Sequence, residues 1–85
     1  MKFYLKEEYY FIDPEKYPSC FGVRYQYPSF DCIKNLELKE WLEQFNITIF
    51  YERYHSNKIG YINRAFIVIA EDQIDNMLYF KLKWA

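Results

Sequence analysis

The chain has few of the residues from which enzyme and metal sites are commonly built. Its 85 residues include two glycines, two cysteines and one histidine. Two isolated glycines exclude a glycine-rich phosphate-binding loop, which needs several within a short segment. Zinc takes three or four ligands at close spacing, a condition that one histidine and two cysteines do not meet. The sequence therefore predicts no metal and no cofactor.

Residues suited to catalysis are also sparse. The histidine, His55, stands beside Ser56 in a polar segment, and adjacent loop residues rarely align as a nucleophile and its base. Glu7 and Glu8 are neighbours in a predicted strand, so their carboxylates would point to opposite faces of the sheet. We therefore expect a protein that is not an enzyme.

Signals for a membrane or a secretory route are missing. The longest apolar run covers residues 65–70, whereas a membrane-spanning helix needs about 20 residues. Glu7 and Glu8 interrupt any apolar start, so we expect no signal peptide. Cys20 and Cys32 are too few for the disulfide framework of a small secreted domain. We expect two free thiols in a reducing cytoplasm, with a single Cys20–Cys32 bridge as the alternative.

Aromatic side chains are what the sequence has in excess. Ten Tyr, eight Phe and two Trp make up 24% of the chain, within a total of 52% hydrophobic and 27% charged residues. That balance is typical of a folded protein, and the length fits one domain over residues 1–85. The formal net charge of −1 removes the simplest electrostatic argument for a protein that coats nucleic acid.

Apolar periodicity predicts one clear helix and four strands. Leu38, Trp41 and Leu42 recur at helical spacing. Asn35 suits the N-cap of this helix and Asn46 its C-terminal stop. Alternating patterns predict strands over residues 2–12, 20–27 and 47–54. Residues 61–70 form the most apolar predicted strand, and its apolar residues on both faces predict a central position in the sheet.

The segment over residues 72–84 fits two patterns. At helical spacing it forms a stripe that includes Ile74, Leu78 and Leu82, with Phe80 and Trp84 at its flanks. From Leu78 to Trp84 it also alternates, as a strand does. Periodicity alone leaves helix and strand open.

A resemblance favours the helix. Glu71-Asp72 is followed by Met77-Leu78 and then by Phe-Lys-Leu-Lys-Trp, which ends at Trp84. This pattern resembles the tail of many small, uncharacterised accessory proteins of T-even-like bacteriophages. In those proteins an apolar strand leads into an acidic cap and an amphipathic helix. The resemblance covers about twenty of the 85 residues, implies a phage origin and carries no site residues with it.

The order strand, strand, helix, strand, strand, helix predicts an α+β fold. Two-layer packing would place both helices on one face of a four-stranded, mostly antiparallel sheet. The arrangement resembles a ferredoxin-like, or split β-α-β, unit in which the N-terminal strand fills the place of the missing last strand.

The aromatic excess suggests a protein-binding surface. Tyrosine and tryptophan are enriched at interface hot spots, and 20 aromatic residues exceed what a small core is expected to hide. With the phage resemblance, this predicts binding to a host protein in the host cytoplasm and inhibition of it, for example of a defence component. An edge strand offers a second route, pairing with another copy. The candidate partner-binding residues are Tyr10, Tyr17, Tyr25, Tyr27 and Tyr54.

The alternative function is binding of single-stranded RNA or DNA by an aromatic sheet face, as in RNA-recognition modules. The ribonucleoprotein signature of those modules is absent from the sequence. Aromatic residues that simply fill the core are the competing explanation for both functions. The candidate nucleic-acid-binding residues are Arg24, Arg53, Arg64, Phe50 and Phe66.

Overall fold

A four-stranded antiparallel sheet and two helices form the α+β fold of the computed structural model, which describes residues 1–12, 24–27, 29–56, 58 and 60–85. The strand order is β1-β4-β3-β2, and all neighbouring strands are antiparallel. The predicted fold class is confirmed. The elements are β1 (Lys2–Tyr4), β2 (Arg24–Gln26), α1 (Leu36–Gln44), β3 (Ile49–Ser56), β4 (Gly60–Val68) and α2 (Ile74–Lys83).

Strand β4 lies in the middle of the sheet, between β1 and β3, and is buried on both faces. Ala65 and Ile67 point into the main core, to which both helices contribute buried side chains. Phe66 lies between them in sequence and is buried outside that core, on the opposite face. This confirms the prediction that the most apolar strand is a central one. Gly60 begins the strand at a φ of 91°, in the left-handed region that glycine adopts without strain.

The strands on either side of α1 are direct neighbours. Tyr25 of β2 pairs with Tyr51 of β3 in an antiparallel register. A split β-α-β unit would hold another strand between these two. The four-stranded sheet is therefore as predicted, but the split arrangement inferred for its strands is not formed.

Strand β1 is much shorter than the predicted strand over residues 2–12. After Tyr4 the Leu5 amide still donates to the Ala65 carbonyl at 3.0 Å, and the chain then turns into a single 3-10 turn at Glu7–Tyr9. Continued alternation would place Glu7 on the side of the strand that buries Leu5. An unpaired carboxylate on a core-facing side is unfavourable, which explains why the strand ends early.

Helix α1 is capped as the sequence predicts. Asn35 Oδ1 accepts a hydrogen bond from the Leu38 amide at 3.0 Å, which satisfies one of the free N–H groups at the helix start. Asn46 follows the helix with a φ of 51°, in the left-handed region that asparagine tolerates. Leu38 and Leu42 are completely buried under this helix.

The C-terminal segment is helical, as the resemblance implies. The helix begins at Ile74, and Gln73 occupies the N-cap without a side-chain hydrogen bond, so Asp72 does not cap it. Lys81 and Lys83 lie in the last turn, where positive charge interacts favourably with the helix dipole.

The buried side of α2 differs from the predicted one. Phe80 and Trp84, expected at the flanks, are buried, and the Phe80 ring lies 5.2 Å from that of Phe3. Leu82, expected in the core stripe, is 88% exposed. The two large aromatic side chains bury more area against α1 and the sheet than the aliphatic stripe would, so they determine how the helix is rotated.

Some sequence expectations lie outside the described residues. They concern residues 20–23 of the second predicted strand, which include Cys20, and also Tyr17 and Pro28.

We predict that Phe80→Ala destabilises the protein by about 3–5 kcal/mol, because it empties a fully buried aromatic site. Leu82→Ala, on the same helix, should change the stability by no more than about 0.5 kcal/mol, since that side chain faces solvent. Urea denaturation followed by circular dichroism measures both. Equal losses from the two substitutions would contradict the orientation of α2.

Candidate functional site

The sheet face opposite the helices carries a cluster of aromatic and charged side chains, called here the outer-face cluster. The Phe66 ring, 1% exposed, lies at its centre and stacks on Phe50 at 5.3 Å between centroids with an interplanar angle of 16°. Tyr4 meets the same ring edge-on at 5.8 Å, and the Lys2 ammonium lies 4.2 Å from its centroid. The cluster consists of Lys2, Tyr4, Phe50, Glu52, Arg64 and Phe66.

Glu52 joins the charged members of the outer-face cluster. Its carboxylate accepts hydrogen bonds from Arg64 Nε at 2.6 Å and from the Tyr4 hydroxyl at 3.0 Å, and Lys2 Nζ lies 3.4 Å away. Burial acts to raise the pKa of Glu52, but the bonds from Arg64 and Tyr4 and the charge of Lys2 outweigh it and hold the pKa below its ordinary value. The carboxylate therefore fixes two cations above aromatic rings.

Four of the five predicted nucleic-acid residues lie on this outer face. Phe50, Phe66 and Arg64 belong to the cluster, and the Arg24 guanidinium lies 5.4 Å from the Phe66 centroid. Arg53 does not join them. It lies two residues after the core residue Tyr51 in β3, and residues two apart in a strand point to the same face, which here is the face covered by the helices. Lys2 and Tyr4 complete the surface and were missed, because the predicted split arrangement put the N-terminal strand in the place of the last strand rather than beside β4.

Two of the five predicted partner-binding tyrosines are buried rather than at the surface. Tyr10 and Tyr27 are members of the main core, where burial raises the pKa of Tyr10. Tyr25 packs against the same core from β2, with its ring 6.0 Å from that of Tyr51. Buried rings cannot act as exposed anchors, so the assignment of Tyr10 and Tyr27 to the surface is corrected. Tyr54 lies in β3 with its side chain outside what the structure describes, and Tyr17 falls outside it entirely.

Helix α2 presents an apolar surface that sequence reasoning assigned to the core. Ile74, Leu78 and Leu82, spaced four residues apart, form what is called here the outer stripe, and each is more than half exposed. The helix thus has two apolar sides, one packed in the core through Phe80 and Trp84 and one open to solvent. The signal was visible in the sequence as apolar residues on more than one side of the predicted helix.

Groups with reactive chemistry are few. Burial raises the pKa of the free Cys32 thiol to about 11, which leaves it protonated and weakly nucleophilic near neutral pH. Among the described residues, no three His, Cys, Asp or Glu side chains are grouped so that they could hold a metal ion. Within the same ranges, no helix has both the length and the apolar content to cross a bilayer.

No family model, no curated protein and no solved structure matches the chain. Two surfaces of the protein are therefore the candidates for its function. One is the cationic, aromatic outer face of the sheet, and the other is the outer stripe of α2.

We predict that Glu52→Gln destabilises the protein by about 1–2 kcal/mol at pH 7, because two cations lose their shared carboxylate. Since the pKa of Glu52 is lowered on folding, its contribution is present above the ordinary carboxyl pKa and is lost as the pH falls through the folded-state pKa. The difference between wild type and variant should therefore shrink between pH 7 and pH 3 in urea denaturation.

Glu40→Gln, at an exposed position of α1, is the matched control and should change the stability little at either pH. A Glu52→Gln difference that stays constant from pH 7 to pH 3 would contradict the electrostatic role.

Proposed function

We propose that this chain is a binding protein and that the outer stripe of α2 docks onto a protein partner. The observation that carries the proposal is the second apolar side of α2. Ile74, Leu78 and Leu82 are exposed although the same helix already fills its core contacts. Contiguous exposed apolar surface on a small protein marks interaction sites. The i, i+4 spacing within the stripe is also one of those by which a helix places its apolar face in a groove.

The partner in this proposal is a host protein, and binding inhibits it. The support is the resemblance of the segment from Glu71 to Trp84 to the tails of T-even-like phage proteins, since that segment contains the outer stripe. A small phage protein that presents an exposed apolar helix is suited to covering a surface of a host enzyme or defence component. The proposal places the protein in the host cytoplasm.

A second candidate function is binding of single-stranded nucleic acid by the outer face of the sheet. The specific observation in its favour is that Arg24 and Arg64 gather beside Phe50 and Phe66, together with Lys2. Cations beside aromatic rings suit a phosphate backbone and its bases. Against it, Phe66 is already covered, and stacking of bases needs an open ring face. Lys81 and Lys83 lie on α2 rather than on this face.

We predict that the double substitution Leu78→Gln and Leu82→Gln weakens partner binding by at least about 2 kcal/mol, since two apolar anchors are removed. Glutamine and leucine have similar helix propensities, so the melting temperature should stay within a few degrees of wild type. The measurement is affinity capture from nuclease-treated bacterial lysate, followed by titration of the captured protein.

Leu36→Gln makes the same change at an exposed leucine of α1 outside the stripe, and capture should survive it. The proposal fails if the double variant captures the partner as well as wild type does, or if nuclease alone abolishes capture.

For the second candidate, we predict that Arg24→Gln weakens binding of a labelled twelve-nucleotide single strand and lowers the slope of log affinity against log salt by about 1. Fluorescence anisotropy at several salt concentrations measures the slope. Lys34→Gln removes the same charge from an exposed position before α1 and should leave the slope unchanged. Equal effects of the two variants would show a non-specific charge effect and reject the sheet face as the site.

A further inference from the structure

The two helices lie side by side and antiparallel, and a groove opens between them on the solvent side. Glu37 in the first turn of α1 and Lys83 at the end of α2 form an ion pair at 2.9 Å, which closes one end. Toward the other end the groove is open to solvent and has a volume of about 350 Å³. Its lining residues are Trp41, Gln44, Phe45, Asp75, Asn76 and Tyr79.

The groove is called here the interhelix groove, and the apolar lining of this section is aromatic. The buried Trp41 ring lies 5.8 Å from Phe45 and 5.7 Å from Tyr79. Phe45 is 42% and Tyr79 43% exposed, so both rings remain accessible. Aromatic ring faces carry negative charge density and attract cations, most strongly for tryptophan and tyrosine.

The polar lining combines neutral amides with two carboxylates. Beyond Phe45 the groove continues past the start of α2, where Asp72, Gln73 and Ile74 join its walls. Both Asp72 and Asp75 are exposed, and neither forms an ion pair with any residue in the described part of the chain. Lys83 donates to the Tyr79 hydroxyl at 3.3 Å and lies 5.6 Å from the ring centroid, but its charge is balanced by Glu37. No other described lysine or arginine lies against either section. The unbalanced charge of the groove is therefore negative.

We propose that the interhelix groove binds a basic segment of the protein partner, with an arginine or lysine side chain between Phe45 and Tyr79 and its charge beside Asp75. This rests on the proposed function, because the occupant belongs to the protein that the outer stripe contacts. Tyr79 follows Leu78 on the same helix, so the groove and the stripe adjoin. Aromatic rings and carboxylates together complement a cationic side chain, whereas two unpaired carboxylates repel a phosphate backbone.

The test uses three synthetic peptides of three tripeptide repeats each, blocked at both ends. The repeats are Gly-Ser-Arg, Gly-Ser-Lys and Gly-Ser-citrulline, the last of which is neutral and close in shape to the arginine peptide. Binding is followed through the indole N–H resonance of Trp41 in nuclear magnetic resonance titrations. The expected result is that both cationic peptides shift this resonance and that the citrulline peptide binds at least about tenfold more weakly.

Two variants assign the binding to the groove. Asp75→Asn and Tyr79→Leu should each weaken binding of the arginine peptide by about fivefold. Glu43→Gln removes the same charge from an exposed position of α1 outside the groove, so it should leave the affinity within about twofold. Melting temperatures of all three variants establish that the fold is intact. Asp75→Asn alters no packing contact and keeps the test informative if Tyr79→Leu unfolds.

Several results would overturn the proposal. Citrulline binding as tight as arginine binding would show that positive charge is not recognised. Equal losses from Asp75→Asn and Glu43→Gln would show general attraction to an acidic protein. Sedimentation equilibrium that reveals a dimer weakened by Asp75→Asn would show that a second copy occupies the groove.

Failure here is separable from failure of the proposed function. If no peptide shifts the Trp41 resonance while Leu78→Gln with Leu82→Gln still abolishes capture, the outer stripe docks a partner and the groove proposal is wrong.

Discussion

The rest of the structure depends on a central strand that is apolar on both sides. In the described part of the chain, helices cover only one face of β4, through Ala65 and Ile67. Phe66 is buried on the other face, where Phe50 and Tyr4 pack against its ring and Lys2 lies over it. The long stems of lysine and arginine can shield an apolar ring while their charged ends remain near water. The outer-face cluster therefore replaces a second layer of helices.

This role explains both the composition of the cluster and the ambiguity of its function. Glu52 is needed because cations held side by side above the rings would otherwise repel one another. The Glu52 carboxylate partly neutralises the positive charges of Lys2 and Arg64, and this weakens their attraction for phosphate. A surface that completes the fold can look like a binding surface, which is why the outer stripe of α2 supports a function more strongly. The stripe makes no comparable contribution to the core.

The central elements could be predicted from the sequence because their periodicity has one solution. Helix α1 has a single apolar side and clear capping residues, and the continuous apolar run over residues 65–70 indicates a strand buried on both faces. The alternation of side chains along β3 also determines which face of the sheet each residue occupies. Applied to Arg53 and Phe50, this rule would have placed them on opposite faces.

The rotation of α2 could not be predicted, since apolar residues lie on more than one of its sides. The contact of Phe80 with Phe3 and Trp41 decides between them, and residues distant in sequence supply it. The burial of Tyr10 and Tyr27 was missed for a related reason, because the aromatic excess was judged by number rather than by how rings pack against one another.

The edge of the sheet has a consequence for how the chain reaches this fold. Met1 and Ile69 exchange backbone hydrogen bonds although they are 68 positions apart, and β1 continues the same pairing along β4. Closing a flexible loop of n residues has an entropic cost in free energy that grows as about (3/2)RT ln n. Contacts of long sequence separation are also those that slow the folding of small domains. The β3–β4 hairpin and the two helices form from contacts between residues close in sequence. Their formation therefore does not depend on that loop closure. We therefore expect the first few residues to be the last strand to join the sheet, after β4 has paired with β3.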